Sequence, residues 1–288
     1  MTDGKESGSA TAFAGATFFA ALAAGSIIAS LGVAPSALAA NVASVKTHIV
    51  DIDVKVGDAL KTYPGLFDNC AAEAKAYAAA MHAQADKERR DDPAMFRDGT
   101  AWTYDRAYEL RSAIGHYVSI VRSDDMFEGG AHPNQGVDTI LWDTQAQKRI
   151  SIRPFFAETA DNGPTLNALA AEAKLSVASL KIANGIPAGS DDTLLTNITP
   201  AQYLRKDTFI SDGIKPALLK LGPVTLAPST EAGKSSGLTF HYGPYAVGPY
   251  VEGGYTAFVP WTVFQQYLSP EGVALFGGTR PKSDTDKW

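Results

Sequence analysis

A histidine in a glycine-rich bend is the side chain of this sequence whose type and neighbours first suggest chemistry. His132 follows Gly129 and Gly130, and the acidic residues before it are Asp124, Asp125 and Glu128. A loop histidine near carboxylates has a tunable pKa, so it could act as an acid–base group or as a metal ligand. The alternative is structural, because glycines supply the positive φ of a bend that His132 would hold through the backbone. We favour the structural role, with ligand contact as the second hypothesis.

The other residues able to ligate metals or attack substrates lack the spacing that such sites need. The five histidines are His48, His82, His116, His132 and His241. No two of them are spaced i, i+4, as a helical zinc pair would be. The chain has no Gly-x-Ser-x-Gly nucleophile motif, and Gly233-Lys234-Ser235 lacks the upstream glycine of a phosphate-binding loop. The sequence therefore predicts no catalytic residue, no metal and no cofactor, and it favours a binding protein over an enzyme.

A second candidate is the segment from Gly243 to Gly254, which contains too many prolines and glycines for regular structure. The aromatic residues in and beside it are Tyr242, Tyr245, Tyr250, Tyr255 and Trp261. Such rings can stack on sugars or anchor a protein interface, although they could equally pack at the edge of the core. The binding hypothesis joins this loop to the bend, and its residues are Gly129, Gly130, His132, Asn134, Tyr245, Tyr250 and Gly253.

The first half of the chain predicts a strand, a helix and then an antiparallel meander. Alternation from Lys46 to Val56 predicts a half-buried strand. A helix is predicted from Asp68 to near Asp92, with the only cysteine, Cys70, on its apolar face as a small buried hydrophobe. Because there is one cysteine, an internal disulfide and a cysteine-rich metal site are excluded. Four strands joined by short turns are predicted between Trp102 and Ile152.

The second half predicts helices first and a further group of strands afterwards. A helix is expected from Pro164 to Asn184, and Thr199-Pro200-Ala201-Gln202 has the capping-box pattern of another helix. The remaining predictions are strands at 224–226, 238–242 and 255–259, a helix at 262–268 and a polar tail at 277–288. The predicted fold is α+β, with an antiparallel sheet and helices packed on one side.

The N-terminal segment resembles a secretory signal. Residues 11–33 are apolar, and Ala37-Leu38-Ala39 resembles a cleavage site, so cutting is expected before Ala40. The predicted location is therefore periplasmic or secreted. If the segment is not cut, residues 11–33 are long enough to anchor the protein in the inner membrane, and a membrane partner is expected only in that case. The net charge of −6 and the absence of a large basic cluster exclude a nucleic-acid partner.

Three stretches together resemble the extracytoplasmic RsiV/PdaC-type domain in order and spacing. They are Tyr63-Pro64-Gly65 before a helix, the bend at Gly129-Gly130-Ala131-His132, and the late series from Pro244-Tyr245 through Pro249-Tyr250 and Gly253 to Val259-Pro260-Trp261. The resemblance divides the chain into a leader at 1–39, a domain at 40–276 with halves 40–156 and 157–276, and a tail at 277–288. It implies a compact α/β domain at the cell envelope without chemistry of its own.

The resemblance also implies partners, and the departures from it limit the choice. This domain accompanies polysaccharide deacetylases and forms the outer part of RsiV-type anti-sigma factors, in which it binds lysozyme. A sigma-binding segment and the deacetylase motifs are both missing from this sequence. We therefore expect a non-catalytic domain that binds a cell-wall glycan or a wall-acting protein such as lysozyme. The alternatives are a peptidoglycan or polysaccharide deacetylase or hydrolase centred on His132, with Asp124 and Asp125, and a membrane-anchored envelope sensor.

Overall fold

The structure is a computed structural model that describes residues 39–97, 99–188 and 198–285. In this part of the chain, one sheet has six strands in sequential order and a second sheet has three. The strands of the first sheet are β1 (Ala40–Lys46), β2 (Val50–Val56), β3 (Trp102–Ile114), β4 (Tyr117–Phe127), β5 (Asn134–Asp143) and β6 (Lys148–Ile150). The second sheet contains β7 (Val224–Pro228), β8 (Ser235–Tyr242) and β9 (Tyr255–Pro260). The predicted α+β class is confirmed.

The first sheet is antiparallel except at one junction. The meander predicted between residues 102 and 152 is confirmed as β3 to β6. β2 and β3, however, run parallel, from Val50 opposite Trp102 to Val56 opposite Tyr108. The helix α1 (Pro64–Asp91) lies between these two strands and carries the chain back to the starting edge, so the second strand repeats the direction of the first. The sequence predicted a purely antiparallel sheet, and the parallel pair β2–β3 corrects this prediction.

The helix α1 covers one face of the first sheet with small side chains. On β2, the alternating residues Val50, Ile52, Val54 and Val56 are fully buried and face this helix. The buried residues of α1 are Leu66, Cys70, Ala74, Ala78 and Ala85. Alanine and cysteine allow the helix axis to lie close to the strands, which shields valine and isoleucine from water. The helix begins at Pro64, four residues before the predicted start, because proline is favoured in the first turn.

The second sheet lies on the opposite face of the first sheet, near its β3–β5 strands. Ser112 donates a hydrogen bond to the carbonyl of Leu226 at 2.7 Å, and the Leu226 amide donates to Ser119 Oγ at 3.1 Å. Further along β7, the amide of Val224 donates to Thr139 Oγ1 at 2.9 Å. The two sheets are therefore joined by side chains that satisfy backbone groups of an edge strand.

A second long helix, α2 (Pro164–Ala183), packs on β9 and closes the far side of the second sheet. The predicted helix at 164–184 is confirmed within one residue, and so is the capping box between Thr199 and Gln202. The shorter helices are α3 (Pro200–Leu204), α4 (Thr208–Gly213), α5 (Trp261–Phe264) and α6 (Pro270–Leu275). All eight residues of β8 are buried, because this strand is the middle one of a sheet covered on both faces.

The C-terminal segment is polar, as predicted, but it packs against the fold. The indole of Trp261 donates to the carbonyl of Gly278 at 3.0 Å, and Asp284 forms ion pairs with Arg111 of β3 and with Arg280. Burial would raise the pKa of Asp284, but hydrogen bonds from Arg111 and Arg280 hold it below its usual range. The segment is thus attached to β3 by the ion pair of Asp284 with Arg111 and to α5 by the hydrogen bond from Trp261.

The predicted signal or anchor at 1–39 lies outside the described residues, apart from Ala39, and it stays a prediction. β1 begins at Ala40, the residue that would follow the predicted cleavage site. None of the helices in the described part of the chain is both long and apolar enough to cross a membrane.

Candidate functional site

The bend before β5 has the backbone geometry that its glycines predict. Gly129 and Gly130 have φ angles of 87° and 101°, and a Cβ atom at either position would meet no atom within 4 Å. Glycine is therefore required here by the backbone angle and not by crowding. The bend connects β4 to β5, and the antiparallel pairing of the two strands begins next to it, with Met126 opposite Asn134. His132 Nδ1 lies 2.8 Å from the carbonyl of Pro133, which orients the exposed imidazole.

The late proline- and glycine-rich loop lies beside this bend. The ring of His132 stacks on the ring of Tyr250, with 4.1 Å between the centroids and 22° between the planes. The two residues are 118 positions apart in the sequence: His132 lies in the bend between β4 and β5, and Tyr250 lies before β9. The structure therefore brings together the two stretches that the binding hypothesis joins.

A third ring extends this surface. The centroid of Tyr245 is 5.5 Å from that of Tyr250, with the planes tilted by 38°, and 57% of Tyr245 is exposed. Tyr245 has a φ of 69°, a left-handed conformation that is uncommon for a tyrosine and that places its side chain outward. We name the rings of His132, Tyr245 and Tyr250 the aromatic platform.

The remaining predicted site residues shape or border the platform. Gly253 has a φ of 74°, and its amide donates to the carbonyl of Tyr250 at 3.0 Å, which closes the short helical turn Tyr250–Glu252. Asn134 is exposed at the start of β5, two residues after His132. The two glycines of the bend contribute backbone geometry and offer no side chain for contact.

A buried charge cluster supports the loop, and its residues were not predicted from the sequence. Lys181 of α2 is fully buried, and its amine lies 2.9 Å from Asp207 and 3.0 Å from Glu252. The hydroxyl of Tyr255 donates to the same Glu252 oxygen at 2.8 Å, while burial and this contact raise the pKa of Tyr255 above its usual range. The burial of Lys181 could have been predicted, because it follows the buried Val177 by four residues and so lies on the apolar face of its helix.

The loop also depends on a close backbone contact with α4. A Cβ atom on Gly213 would lie 1.9 Å from the carbonyl oxygen of Ala246, the residue after Tyr245. On the other side, a Cβ on Gly248 would lie 2.3 Å from Glu252 and 3.0 Å from the amine of Lys181. The backbone contact at Gly213 leaves no room for a side chain, and the loop packs between α4 and the buried charges.

The carboxylates near the bend do not converge on His132. Asp124 accepts from Arg106 and lies on the α1 side of the sheet, since the same arginine stands 3.5 Å above the ring of Tyr77. Its neighbour Asp125 points to the opposite face and accepts from Gln135 at 3.1 Å. The third carboxylate, Glu128, accepts from the hydroxyl of Tyr104 at 2.5 Å. Each of these three carboxylates therefore accepts a hydrogen bond from a side chain other than His132.

Within residues 39–97, 99–188 and 198–285, no three side chains of histidine, cysteine, aspartate or glutamate are grouped so that they could hold a metal ion.

A polar groove lies on the first sheet, mainly on the face that points away from α1. Its volume is about 520 Å³, and its polar lining residues include Asp53, Lys55, Asp105, Ser123, Asp125 and Gln135. The loop reaches this groove at its base, because a Cβ on Gly243 would lie 3.7 Å from the Gln135 carbonyl. The groove and the loop thus approach each other at Gln135 and Gly243.

Part of the chain is similar to a known protein family. Residues 201–262 match the model of a family described as a protein of unknown function, DUF3298. That stretch contains Tyr245, Tyr250 and Gly253 of the predicted site. No curated protein matches the chain in sequence.

Two solved structures of DUF3298 proteins are similar to this one. The structure from Bacteroides fragilis NCTC 9343 is 11% identical with a TM-score of 0.49, and the alignment covers 82% of this chain and 94% of that one. The structure from Pseudomonas aeruginosa PAO1 is 19% identical with a TM-score of 0.44, and the alignment covers 79% of this chain and 87% of that one.

Proposed function

We propose that this protein is a non-catalytic binding domain of the cell envelope that recognises a cell-wall glycan through the aromatic platform. The observation that carries the proposal is the stacking of His132 on Tyr250, with the exposed ring of Tyr245 beside them. A flat apolar ring surface matches the C–H face of a pyranose, and the stacked rings lose little conformational entropy on binding because they are already fixed.

The groove beside the platform supports a sugar as the ligand. Sugar recognition combines ring stacking with hydrogen bonds to hydroxyl groups, and carboxylates and amides are suitable acceptors and donors for them. Asp125 and Gln135 provide such groups next to the base of the loop, and Asp105 provides another within the same groove. A glycan longer than one residue could therefore contact rings and polar groups together.

The buried cluster under the loop supports binding by a preformed surface. Lys181 and Glu252 hold the turn that carries Tyr250, so the site does not need to be ordered by its ligand. Rigid loops on a packed scaffold are typical of binding sites. We also infer a periplasmic or secreted location from the N-terminal segment, and N-terminal sequencing of the exported protein tests it. A start at Ala40 would exclude the membrane-anchored sensor.

Calorimetric titration with soluble peptidoglycan fragments and with N-acetylglucosamine oligomers tests the function. We expect saturable binding that weakens about tenfold in Tyr250→Ala, because one aromatic stacking contact is removed. The matched control is Phe209→Ala, which removes a ring that is 49% exposed on α4, outside the platform. Its affinity should equal that of the wild type. Thermal melting must show that Tyr250→Ala remains folded, since a collapse of melting would place this ring in the core.

Two further measurements on the same protein distinguish the alternative functions, a deacetylase and a domain that binds a wall-acting protein. Release of acetate from an acetylated glycan, abolished in His132→Ala, would overturn the non-catalytic assignment in favour of a deacetylase. The carboxylates of the polar groove are also complementary in charge to a basic protein such as lysozyme, the partner that the RsiV/PdaC resemblance implies. Binding to immobilised lysozyme without any binding to glycan would replace the sugar by a wall-acting protein.

A further inference from the structure

Exposed apolar side chains are concentrated in one part of the second half of the chain. Among the residues that the structure describes, the exposed large apolar side chains include Phe209 of α4, Leu219 in the turn after it, and Tyr245 and Val251 in the late loop. Leu219 is the most exposed of them, at 96%. Single exposed apolar residues are ordinary, whereas several on one surface indicate a binding partner.

A groove of about 250 Å³ connects three of these side chains. It is lined by Leu219 and by Ala246, the residue after Tyr245. Gly213 also lines it, and a Cβ atom there would lie 1.9 Å from the carbonyl oxygen of Ala246. Phe209 precedes Gly213 by four residues, so it lies on the same side of α4. Phe209 and Leu219 therefore border one surface, which meets the aromatic platform at Tyr245.

A compact turn holds Leu219 outward. The amide of Lys215 donates to the carbonyl of Lys220 at 3.1 Å, which closes the turn. The preceding residue, Leu218, donates its amide to Asp161 Oδ1 at 3.1 Å and packs its side chain against the core. The side chain of Leu219 therefore remains in water although its backbone is fixed. Removing that apolar area from water would be favourable.

Cations surround this leucine. Lys215 and Lys220 form the two ends of its turn, and the charge of Lys215 reaches α2, because burial and then this charge lower the pKa of Lys174. The cations of the region are Lys174, Arg205, Lys206, Lys215 and Lys220, and the exposed carboxylates beside them are Asp161 and Asp212. This surface is therefore positive in a chain whose net charge is −6.

The abundance of lysine decides the class of partner. Lysine is depleted at the centres of protein–protein interfaces, where its strongly hydrated ammonium group would lose water. At a lipid surface the ammonium groups stay hydrated among the phosphate headgroups, while apolar side chains beside them enter the acyl region. A tyrosine ring at the border suits this boundary, because it has an apolar body and a polar hydroxyl. Charge and composition thus favour an anionic bilayer over a protein.

We propose that the surface around Leu219 and Phe209 makes a peripheral contact with an anionic lipid bilayer. The two apolar side chains enter the boundary between headgroups and acyl chains, and Lys215 and Lys220 lie at the level of the lipid phosphates. The contact goes beyond the proposed glycan binding and does not rest on it. It also does not require the N-terminal segment.

A dye attached at position 219 tests the contact in the exported protein. Leu219→Cys carries a polarity-sensitive dye, and the native Cys70 does not compete because it is buried. Val273→Cys with the same dye is the matched control, since Val273 is 61% exposed on α6. With phosphatidylcholine vesicles that contain about 30% phosphatidylglycerol, the emission at position 219 should shift to the blue and be quenched by nitroxide lipids. Position 273 should not respond.

The comparison holds whether or not the leader is cleaved, because both labelled proteins have the same N-terminus. An unshifted dye at position 219, or equal shifts at the two positions, would overturn the proposal. A blue shift at position 219 that appears without lipid and grows with protein concentration would instead assign the surface to a second copy of the chain.

The role of the cations has its own test. Lys215→Gln with Lys220→Gln, in the labelled Leu219→Cys protein, should raise the lipid concentration at half-maximal shift about tenfold, because two attractions to the anionic surface are lost. Lys75→Gln with Lys87→Gln removes the same charge from exposed positions on α1 and should have no such effect. Equal effects of the two pairs would refute electrostatic contact with lipid at this surface.

A last variant separates this contact from glycan binding. Leu219→Ser should lower vesicle binding about tenfold, since one apolar side chain no longer enters the bilayer. Its glycan affinity and its thermal melting should equal those of the wild type, because the side chain is almost fully exposed and lies outside the platform. Vesicle binding at wild-type strength in Leu219→Ser would contradict the insertion of this leucine.

Discussion

The amine of Lys181 lies 3.0 Å from a carboxylate oxygen of Glu252, two residues beyond the stacked ring of Tyr250. The side chain of the lysine is 1% exposed, and that of the glutamate is 12% exposed. This buried pair joins the helix α2 to the loop of the aromatic platform. Because the low dielectric strengthens the attraction and makes an unpaired charge unfavourable, the loop position is tied to the integrity of the core.

Lys181→Met is expected to lower the free energy of unfolding by about 3 kcal/mol, because it leaves Asp207 and Glu252 buried without their cation. Denaturant unfolding measures this change. Glycan affinity should fall as well, since the turn that carries Tyr250 loses its anchor. Lys206→Met serves as the control because this neighbouring lysine is exposed, and it should change stability by less than about 0.5 kcal/mol. Equal stability of the two variants would show that the buried pair does not hold the loop.

Gly213→Ala is expected to destabilise the fold by about 2 kcal/mol and to weaken glycan binding. The added Cβ would stand 1.9 Å from the carbonyl of Ala246, so α4 and the loop must move apart. Thermal melting and the calorimetric titration measure the two effects. For stability, Gly136→Ala is the matched substitution, because its Cβ would meet the nearest atom at an ordinary 3.7 Å. The idea of a rigid loop fails if Gly213→Ala binds glycan as tightly as the wild type.

The stability of the fold should decrease at acid pH through Glu73. Burial alone would raise the pKa of Glu73, but hydrogen bonds and charge from Arg149, with hydrogen bonds from Tyr108 and Arg122, lower it. A carboxyl whose pKa is lower in the folded chain stabilises the fold above its unfolded pKa of about 4.3. This contribution is lost as the pH falls through the folded pKa. The melting temperature should therefore decrease steeply below about pH 4.

Glu73→Gln isolates this contribution. We expect it to lower the free energy of unfolding by about 2 kcal/mol at pH 7 and to make the acid decrease shallower than in the wild type. Asp86→Asn on the same helix is the control, since this side chain is 48% exposed and pairs only with His82 in the described ion pairs. Parallel pH profiles of wild type and Glu73→Gln would rule out the proposed linkage.

Cys70 is expected to be chemically inert in the folded protein. Burial raises the pKa of its thiol to about 12, so at pH 8 only about one thiol in ten thousand is ionised. Alkylation by iodoacetamide, followed by mass spectrometry, should be absent after an hour in buffer and complete in guanidinium chloride. Rapid labelling under native conditions would mean that α1 opens readily from the sheet.

The sequence predicted the local elements of the site, whereas their contact required the tertiary structure. Gly129 and Gly130 predict a bend, and the density of proline and glycine predicts an irregular loop; both are observed. Nothing in local periodicity relates His132 to Tyr250, because strand pairing and the packing of the two sheets bring them together. Lys181 was missed because a lysine is ordinarily assigned to solvent, although its position on an apolar helix face was visible.

Elements with strong hydrophobic periodicity were predicted from the sequence. Features that depend on strand pairing or on the packing of distant segments were not. The helices at Pro64 and Pro164 have clear apolar faces and were found. The strand β1 was not predicted, because Ala40–Lys46 is rich in small residues and shows little alternation of polar and apolar residues. The direction of β3 relative to β2 depends on the path of α1 and not on either strand. Likewise, the packing of Asp284 depends on arginines that are distant in sequence, such as Arg111.

The burial of β8 along its whole length bears on how the chain can be divided. The stretch at 201–262 that matches the family model contains this strand and its sheet, but the helix α2 and the strands β3 to β5 that cover the sheet precede it. Cut out alone, the stretch would expose both faces of its middle strand to water and would aggregate. The matched segment is therefore covered by elements that precede it, and we expect a soluble fragment to need α2 and the strands β3 to β5 as well.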